Sequence, residues 1–191
     1  MKLVTPALRI AVIVLSFLTH LLAQSPGSAI ESIDIQGNRR LTDEEIYRAI
    51  TTRTGQSLDN ERLKKDLKAI LASGQFDPAS TRVKTEAGPG GGAVVVFEVM
   101  ELPLVAAIDF AGLKYVSRDE IDNYLSTEIP RLKAGTPYHV ADAREARSSI
   151  RWFLQRRGFE DAVVTVAEKE VSATSLSIIF QIDEMRGDDD N

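Results

Sequence analysis

The histidines and cysteines set the first limit on chemistry. The 191-residue chain has two histidines and no cysteine, and one of the two, His20, falls in the N-terminal leader described below. That leaves His139 alone. A nucleophile needs a base beside it, and a zinc-type site needs several nitrogen or sulfur ligands. Asp34 and Asp109 recur in matched contexts, yet each falls inside an expected strand, far from any acid or base partner. Asp188-Asp189-Asp190 is an isolated acidic end, expected to form a disordered tail over 186–191 with at most weak affinity for a cation. Gly88 to Gly92 has the glycine content of a phosphate loop, but no Lys-Ser or Lys-Thr pair follows and the next element is a strand. It reads as a mobile hairpin tip. The expectation is a non-catalytic chain without cofactor or metal.

The basic residues offer a different chemistry. Arg144, Arg147 and Arg151 stand at i, i+3 and i+7 and share one face of an expected helix. Arg156 and Arg157 carry the charge to its C-terminus, where cations favour the helix dipole. Such a stripe could meet a membrane surface through lipid headgroups, or an acidic partner. The plainer reading is a solvated face paired locally with Glu145 or Asp142. Trp152 falls off the apolar face and caps the edge of the core or serves an interface.

The elements that position these residues follow from composition and spacing. The chain is 43% hydrophobic and 27% charged, ordinary values for a globular protein. Its net charge of −5 gives no general attraction to nucleic acid, which is discounted as a partner. The lack of cysteine excludes disulfides and a lipid-modified cysteine anchor. Lys2 and Arg9 precede a nearly unbroken apolar run from Ile10 to Leu22, and Ala23 offers a small residue before Gln24. The run is shorter than the ~20 residues that span a bilayer, so residues 1–23 read as a cleaved secretory signal. Kept uncleaved, the segment would anchor the chain at the inner membrane. A mature start at Gln24 tells the two apart.

The mature chain then repeats itself. Ile30-Glu31-Ser32-Ile33-Asp34-Ile35-Gln36-Gly37 returns as Val105-Ala106-Ala107-Ile108-Asp109-Phe110-Ala111-Gly112, with Gly37 and Gly112 standing 75 positions apart. Each copy alternates apolar and polar residues for a strand and then turns at glycine. Thr42 with Glu45, and Ser117 with Glu120, form capping boxes; Leu41/Ile46 and Val116/Ile121 form the staples around them. Gly55-Gln56-Ser57-Leu58 and Gly135-Thr136-Pro137-Tyr138 lead into a second, longer helix. Leu63, Leu67, Ile70 and Leu71 share one face of that helix in the first copy, as do Ala143, Ala146, Ile150, Phe153 and Leu154 in the second. Both helices stop at glycine followed by phenylalanine, Gly74-Gln75-Phe76 and Gly158-Phe159.

Two strands close each copy: Ser80–Glu86 and Ala93–Glu101 in the first, Ala162–Lys169 and Ser175–Glu184 in the second. The fold class is therefore α+β: two tandem β-α-α-β-β domains over 29–102 and 103–185, each with two helices on a three-stranded mixed sheet. The third strand is expected at the centre, parallel to the first, with the second strand at the edge. Pro103 limits the joint between the copies.

The strand ending in glycine before a capped helix, and the longer helix closing on glycine and phenylalanine, resemble POTRA (polypeptide-transport-associated) domains over about 29–185. The resemblance implies a periplasmic binding or scaffolding module, associated with the outer membrane. Its implied partners are unfolded outer-membrane or secreted polypeptides and β-barrel assembly or accessory envelope proteins. Implied too is capture by strand addition at the second-strand edge. The family usually continues into a membrane barrel, whereas this sequence runs into Arg186-Gly187-Asp188-Asp189-Asp190-Asn191. A structural anchor of the division or envelope machinery, tethered by an uncleaved N-terminus, is the alternative. The candidate edge residues are Val163, Val164, Thr165 and Val166, a strongly β-prone run, and Val83 and Thr85, flanked by the protective charges Arg82 and Lys84. Proline at Thr165 is expected to remove an edge donor.

Overall fold

The computed structural model describes residues 28–185. The expected leader, 1–23, and the expected disordered acidic tail, 186–191, lie outside the described residues. The first domain runs β1 (Ile30–Gln36), α1 (Asp43–Ala49), α2 (Asn60–Ala72), β2 (Arg82–Ala87) and β3 (Ala93–Glu98). The second runs β4 (Leu104–Ala111), α3 (Arg118–Glu128), α4 (Val140–Gln155), β5 (Val163–Ser172) and β6 (Ser175–Asp183). The sheet orders are β1-β3-β2 and β4-β6-β5. In each, the third strand is central, parallel to the first and antiparallel to the second. The fold is α+β in two tandem domains, and each domain has its own apolar core.

Local chemistry explains the elements. Thr42 and Ser117 accept from Glu45 N–H and Glu120 N–H, and each glutamate accepts back from its cap, so both capping boxes form. Gly74 and Gly158 adopt φ of +69° and +91° behind their helices, and Phe76 and Phe159 fold back into the cores. Leu63 and Ile70 are buried, whereas Leu67 and Leu71 are only half-buried. Ala143, Ala146, Ile150 and Leu154 are buried against the second sheet, with Phe153 half-buried beside them.

Strand β2 starts two residues later than expected and β3 ends at Glu98 instead of Glu101, and both hairpins depart from expectation. Strand β5 extends to Ser172, and only Ala173 and Thr174 remain for the turn. The register shifts between Glu170 and Ser172, so Val171 is taken up as a bulge instead of joining the loop. The glycine-rich tip is also tied down. Glu31 of β1 accepts from Gly90 N–H at 3.1 Å and Gly92 N–H at 2.6 Å.

One device recurs at the same corner of both domains. Glu101 Oε1 accepts from the N–H groups of Arg39, Arg40 and Leu41 at 2.9, 3.0 and 2.9 Å. Glu184 accepts from Lys114, Tyr115 and Val116 at 2.9, 2.6 and 3.1 Å. Both carboxylates are buried. Gly37 and Gly112 make the approach, with φ of +94° and +88°; a Cβ there would stand 2.2 Å from the Val99 carbonyl oxygen or 2.1 Å from that of Ile182. Burial alone would raise the Glu101 carboxyl, but the three N–H donors and the Arg40 guanidinium outweigh it and hold the group below the usual glutamate range.

Two predictions follow from this corner. Gly112→Ala is expected to destabilise the second domain by at least the ~1–3 kcal/mol of a strained backbone, and by more than Gly135→Ala, where nothing lies within 4 Å. Urea unfolding followed by Trp152 fluorescence measures both, since the chain holds one tryptophan. A carboxyl depressed in the folded state adds stability that is present above its unfolded pKa, about 4.3 for glutamate. That stability is lost as pH falls through the lower folded value. Amide exchange along Ala93–Glu98 is therefore expected to speed up as pH drops below about 4.3, after correction for intrinsic exchange rates, and Glu101→Gln to weaken that dependence.

Candidate functional site

Each sheet has two borders, and the chain treats them differently. The outer border of β1 is covered at its start: Ile30 N–H donates to the Gln56 carbonyl and Gly55 N–H to that of Ile30, both at 2.8 Å. Leu58 N–H reaches the Ser28 carbonyl at 3.0 Å. The second domain repeats the pattern at 2.9, 2.8 and 2.7 Å between Val105 and Thr136, Gly135 and Val105, and Tyr138 and Pro103. The Gly55–Leu58 and Gly135–Tyr138 motifs are therefore sealing strips as well as helix connectors. Farther along β4, Arg118 Nη2 donates to the Ile108 carbonyl at 2.5 Å. Strands β2 and β5 have no such cover: among the described residues each pairs with its central strand alone.

Register decides which groups on those borders face outward. In the first domain Ala93 N–H and Val99 N–H donate to Ala29 and Gln36, on the β1 side. Main-chain groups alternate sides along a strand, so odd-numbered residues of β3 face β1 and even-numbered ones face β2. Arg82, Lys84 and Glu86 oppose Glu98, Val96 and Val94 and are turned inward. Val83, Thr85 and Ala87 are turned out. In the second domain the Thr174 carbonyl accepts from Leu104 N–H on the β4 side, so odd-numbered residues of β6 face β5. Val163 and Thr165 oppose Asp183 and Gln181 and lie in the ladder. Val164, Val166 and Glu168 present their main chain to solvent. Thr165 is thus not an edge donor: proline there would remove a bond to β6.

The two open borders carry different side chains. Strand β2 has 6 residues, and its solvent face is an ion-pair lattice. Lys84 Nζ lies 2.8 Å from the carboxylates of both Glu86 and Glu98, and Arg82 also binds Glu98. Those donors hold the Glu98 carboxyl below its ordinary value. Strand β5 has 10 residues. Val163 and Thr165 are exposed on its outer face, Val164 is buried and Val166 half-buried beneath the helices. Tyr138 donates its hydroxyl to Glu168, and burial together with that carboxylate pushes the phenol far above its usual range.

Helix α4 borders this edge. Arg144, Arg147 and Arg151 are all exposed. Their expected partners are engaged elsewhere, because Arg131 takes Asp142 at 2.7 Å and also Glu145. Among the described residues the three arginines have no ion pair. Trp152, 49% exposed, stacks on Tyr124 of α3 at 6.4 Å under the Arg156 guanidinium. Of the repeated acids, Asp34 is exposed and Asp109 pairs with Arg118 at 3.2 Å. No group of three or more histidine or acidic side chains that could hold a metal, and no helix long and apolar enough to cross a membrane, occurs among the described residues.

The sequence matches the family described as POTRA, surface antigen variable number repeat, over residues 28–101 and again over 103–185. It is 26% identical over 159 residues to the outer membrane protein assembly factor BamA of Nitratidesulfovibrio vulgaris, covering 83% of this chain and 19% of that protein. The chain thus spans about a fifth of that relative's length. Its fold is similar to the N-terminal domain of Omp85 from the cyanobacterium Thermosynechococcus elongatus, with a TM-score of 0.51 and 20% identity over 84% of this chain and 64% of that one. The two-domain structure POTRA1-2 of Omp85 from Anabaena matches at a TM-score of 0.46 and 19% identity, covering 86% of this chain and all of that one. With two matches that together span most of its length, the chain belongs to the POTRA family.

Proposed function

We infer that this chain is a periplasmic scaffold which takes up extended segments of outer-membrane or secreted polypeptides by adding them to the free border of β5. One observation carries the reading: each domain seals the start of its first strand with its own backbone but leaves its second strand unpaired on one side. An unpaired strand offers a row of donors and acceptors that an incoming chain completes with its own backbone, so register and direction can be set for chains of many sequences. That tolerance suits a receptor for many clients. The similarity to an outer-membrane assembly factor and to Omp85 supports the compartment and the client class.

Of the two open borders, β5 is the better receptor. It is longer, and its Val163–Val166 half is free of charge where β2 carries locked ion pairs; the charges of β5 are confined to Glu168, Lys169 and Glu170 farther along. Charges along a border oppose pairing with another strand. The accessory partners of an envelope assembly machine would dock on the remaining surface, with the membrane close by.

The test uses the full chain and a synthetic peptide copied from an outer-membrane β-strand, with binding read by fluorescence anisotropy. Val166→Pro removes a donor that faces outward, on an edge where proline is tolerated. It is expected to weaken binding about tenfold relative to Val166→Ala, which controls for lost packing. Thr165→Pro is expected instead to destabilise the domain. Equal affinity of Val166→Pro and Val166→Ala would remove β5 from consideration.

A further inference from the structure

The flank of α4 beside the open border differs between the domains in a way that predicts which strands are selected. Tyr124 of α3 touches Trp152 and Phe153, with ring centroids 6.4 and 4.7 Å away, which identifies the α3-facing flank of α4. The buried stripe of Ala143, Ala146, Ile150 and Leu154 faces the sheet. At about 100° per residue, Arg147 then falls on the opposite flank, which overhangs β5, and Arg151 and Arg144 lie slightly further round. The helix and strand run in opposite directions, and α4 packs on β5. Arg144 to Arg151 spans ~10 Å of helix and Val164 to Glu168 ~13 Å of strand, so the two rows are commensurate. Tyr138, two residues before α4, donates its hydroxyl to Glu168, which places the Glu168 end of β5 at the start of α4.

A strand added to β5 pairs opposite Val164 and Val166, and residues directly opposite share a face of the sheet. Every second side chain of the newcomer therefore projects under α4, into the field of cations that have no ion pair among the described residues. Glu168 is occupied by Tyr138, and with Glu170 it makes the far end of the border acidic. The positive field is accordingly strongest over the Val164–Val166 half. The first domain lacks this feature. Aligning the buried Leu63 and Ile70 with Ala143 and Ile150 puts Lys64, Leu67 and Leu71 where the arginines stand. There Lys64 pairs with Glu61 at 2.8 Å, and both leucines are half-buried.

The geometry points to a selective site: the β5 border with Arg144, Arg147 and Arg151 takes extended segments that carry carboxylates at alternate positions on the face turned toward α4. This inference rests on strand addition to β5 and adds to it the chemistry of the client. An anionic membrane is the competing occupant of the same arginines, but they overhang an open strand border, which favours a polypeptide.

The experiment compares two synthetic peptides of the same alternating β-prone sequence, one with glutamate and one with glutamine at every second position. The glutamate peptide is expected to bind the full chain roughly three- to tenfold more tightly at low salt, with the difference shrinking as salt is raised. Replacing both Arg147 and Arg151 with glutamine removes that preference while the glutamine peptide binds as before; replacing both with lysine keeps most of it. Equal affinity for the two peptides, or a preference that survives in the double glutamine variant, overturns the inference. So does binding of phosphatidylglycerol vesicles that depends on these arginines in the absence of any peptide preference. Val166→Pro separates this failure from the broader one: loss of both peptides upholds strand addition, whereas no loss of either refutes it.

Discussion

A buried glutamate just past the third strand holds the corner on which each domain's topology depends. Glu101 and Glu184 each accept three consecutive main-chain N–H groups from the turn that leaves the first strand. Those donors sit between a strand and a helix, where neither ladder nor helix satisfies them. Left unpaired in a buried corner, each would cost ~1–3 kcal/mol. One carboxylate meets all three, and glycine at Gly37 or Gly112 allows the third strand's carbonyl to come close. The contact clamps the end of the first strand against the end of the third. With first and third strands parallel and adjacent, and the second joined to the third by a tight hairpin, the second strand pairs on the third strand's other side, at the border.

The same clamp leaves two kinds of border. On the first-strand side the connector between the helices returns to the sheet, and its glycine and the residue after it bond the strand's start. No connector returns on the second-strand side, because the hairpin to the third strand is tight: Ala173 and Thr174 in the second domain, and a glycine tip held by Glu31 in the first. Openness of the second strand is thus a consequence of connectivity. Side chains then decide what each opening does. Lys84, Glu86, Arg82 and Glu98 neutralise one another across the outer face of the first sheet, whereas the second keeps valine and threonine there.

Much of this was legible in the residues. Repetition of strand, glycine, capping box and glycine-phenylalanine stop gave the element order and the central third strand, because each signal is local and was confirmed by its copy. Partnerships over long separations were not legible. Glu101 and Glu184 could be placed at strand ends, but their donors lie more than fifty positions away in the chain. The acids expected to neutralise the α4 arginines are nearby in sequence, yet Arg131 reaches them from the preceding loop. The role of Thr165 turned on parity. Sequence marks a strand and its faces, but which residues turn their N–H outward depends on the register with β6, and a shift of one residue exchanges the two sets.

Register also bears on how much main-chain pairing alone can achieve. Each residue such as Val164 or Val166 offers one donor and one acceptor, and a hydrogen bond exchanged with water yields ~0.5–1.5 kcal/mol. Only alternate residues of an incoming strand meet those groups, while ordering the backbone opposes binding by ~1–2 kcal/mol for every residue. Two newly ordered residues therefore cost about as much as, or more than, the two bonds they gain. The border supplies register and direction, and the favourable surplus must come from side chains packed on the sheet or under the neighbouring helix. In the first domain that neighbour presents Leu67 and Leu71, already half-buried; in the second it presents arginines with no ion pair among the described residues. If strands are added there as proposed, two borders with one topology are for that reason unequal as receptors, and the inequality resides in the helices beside the strands.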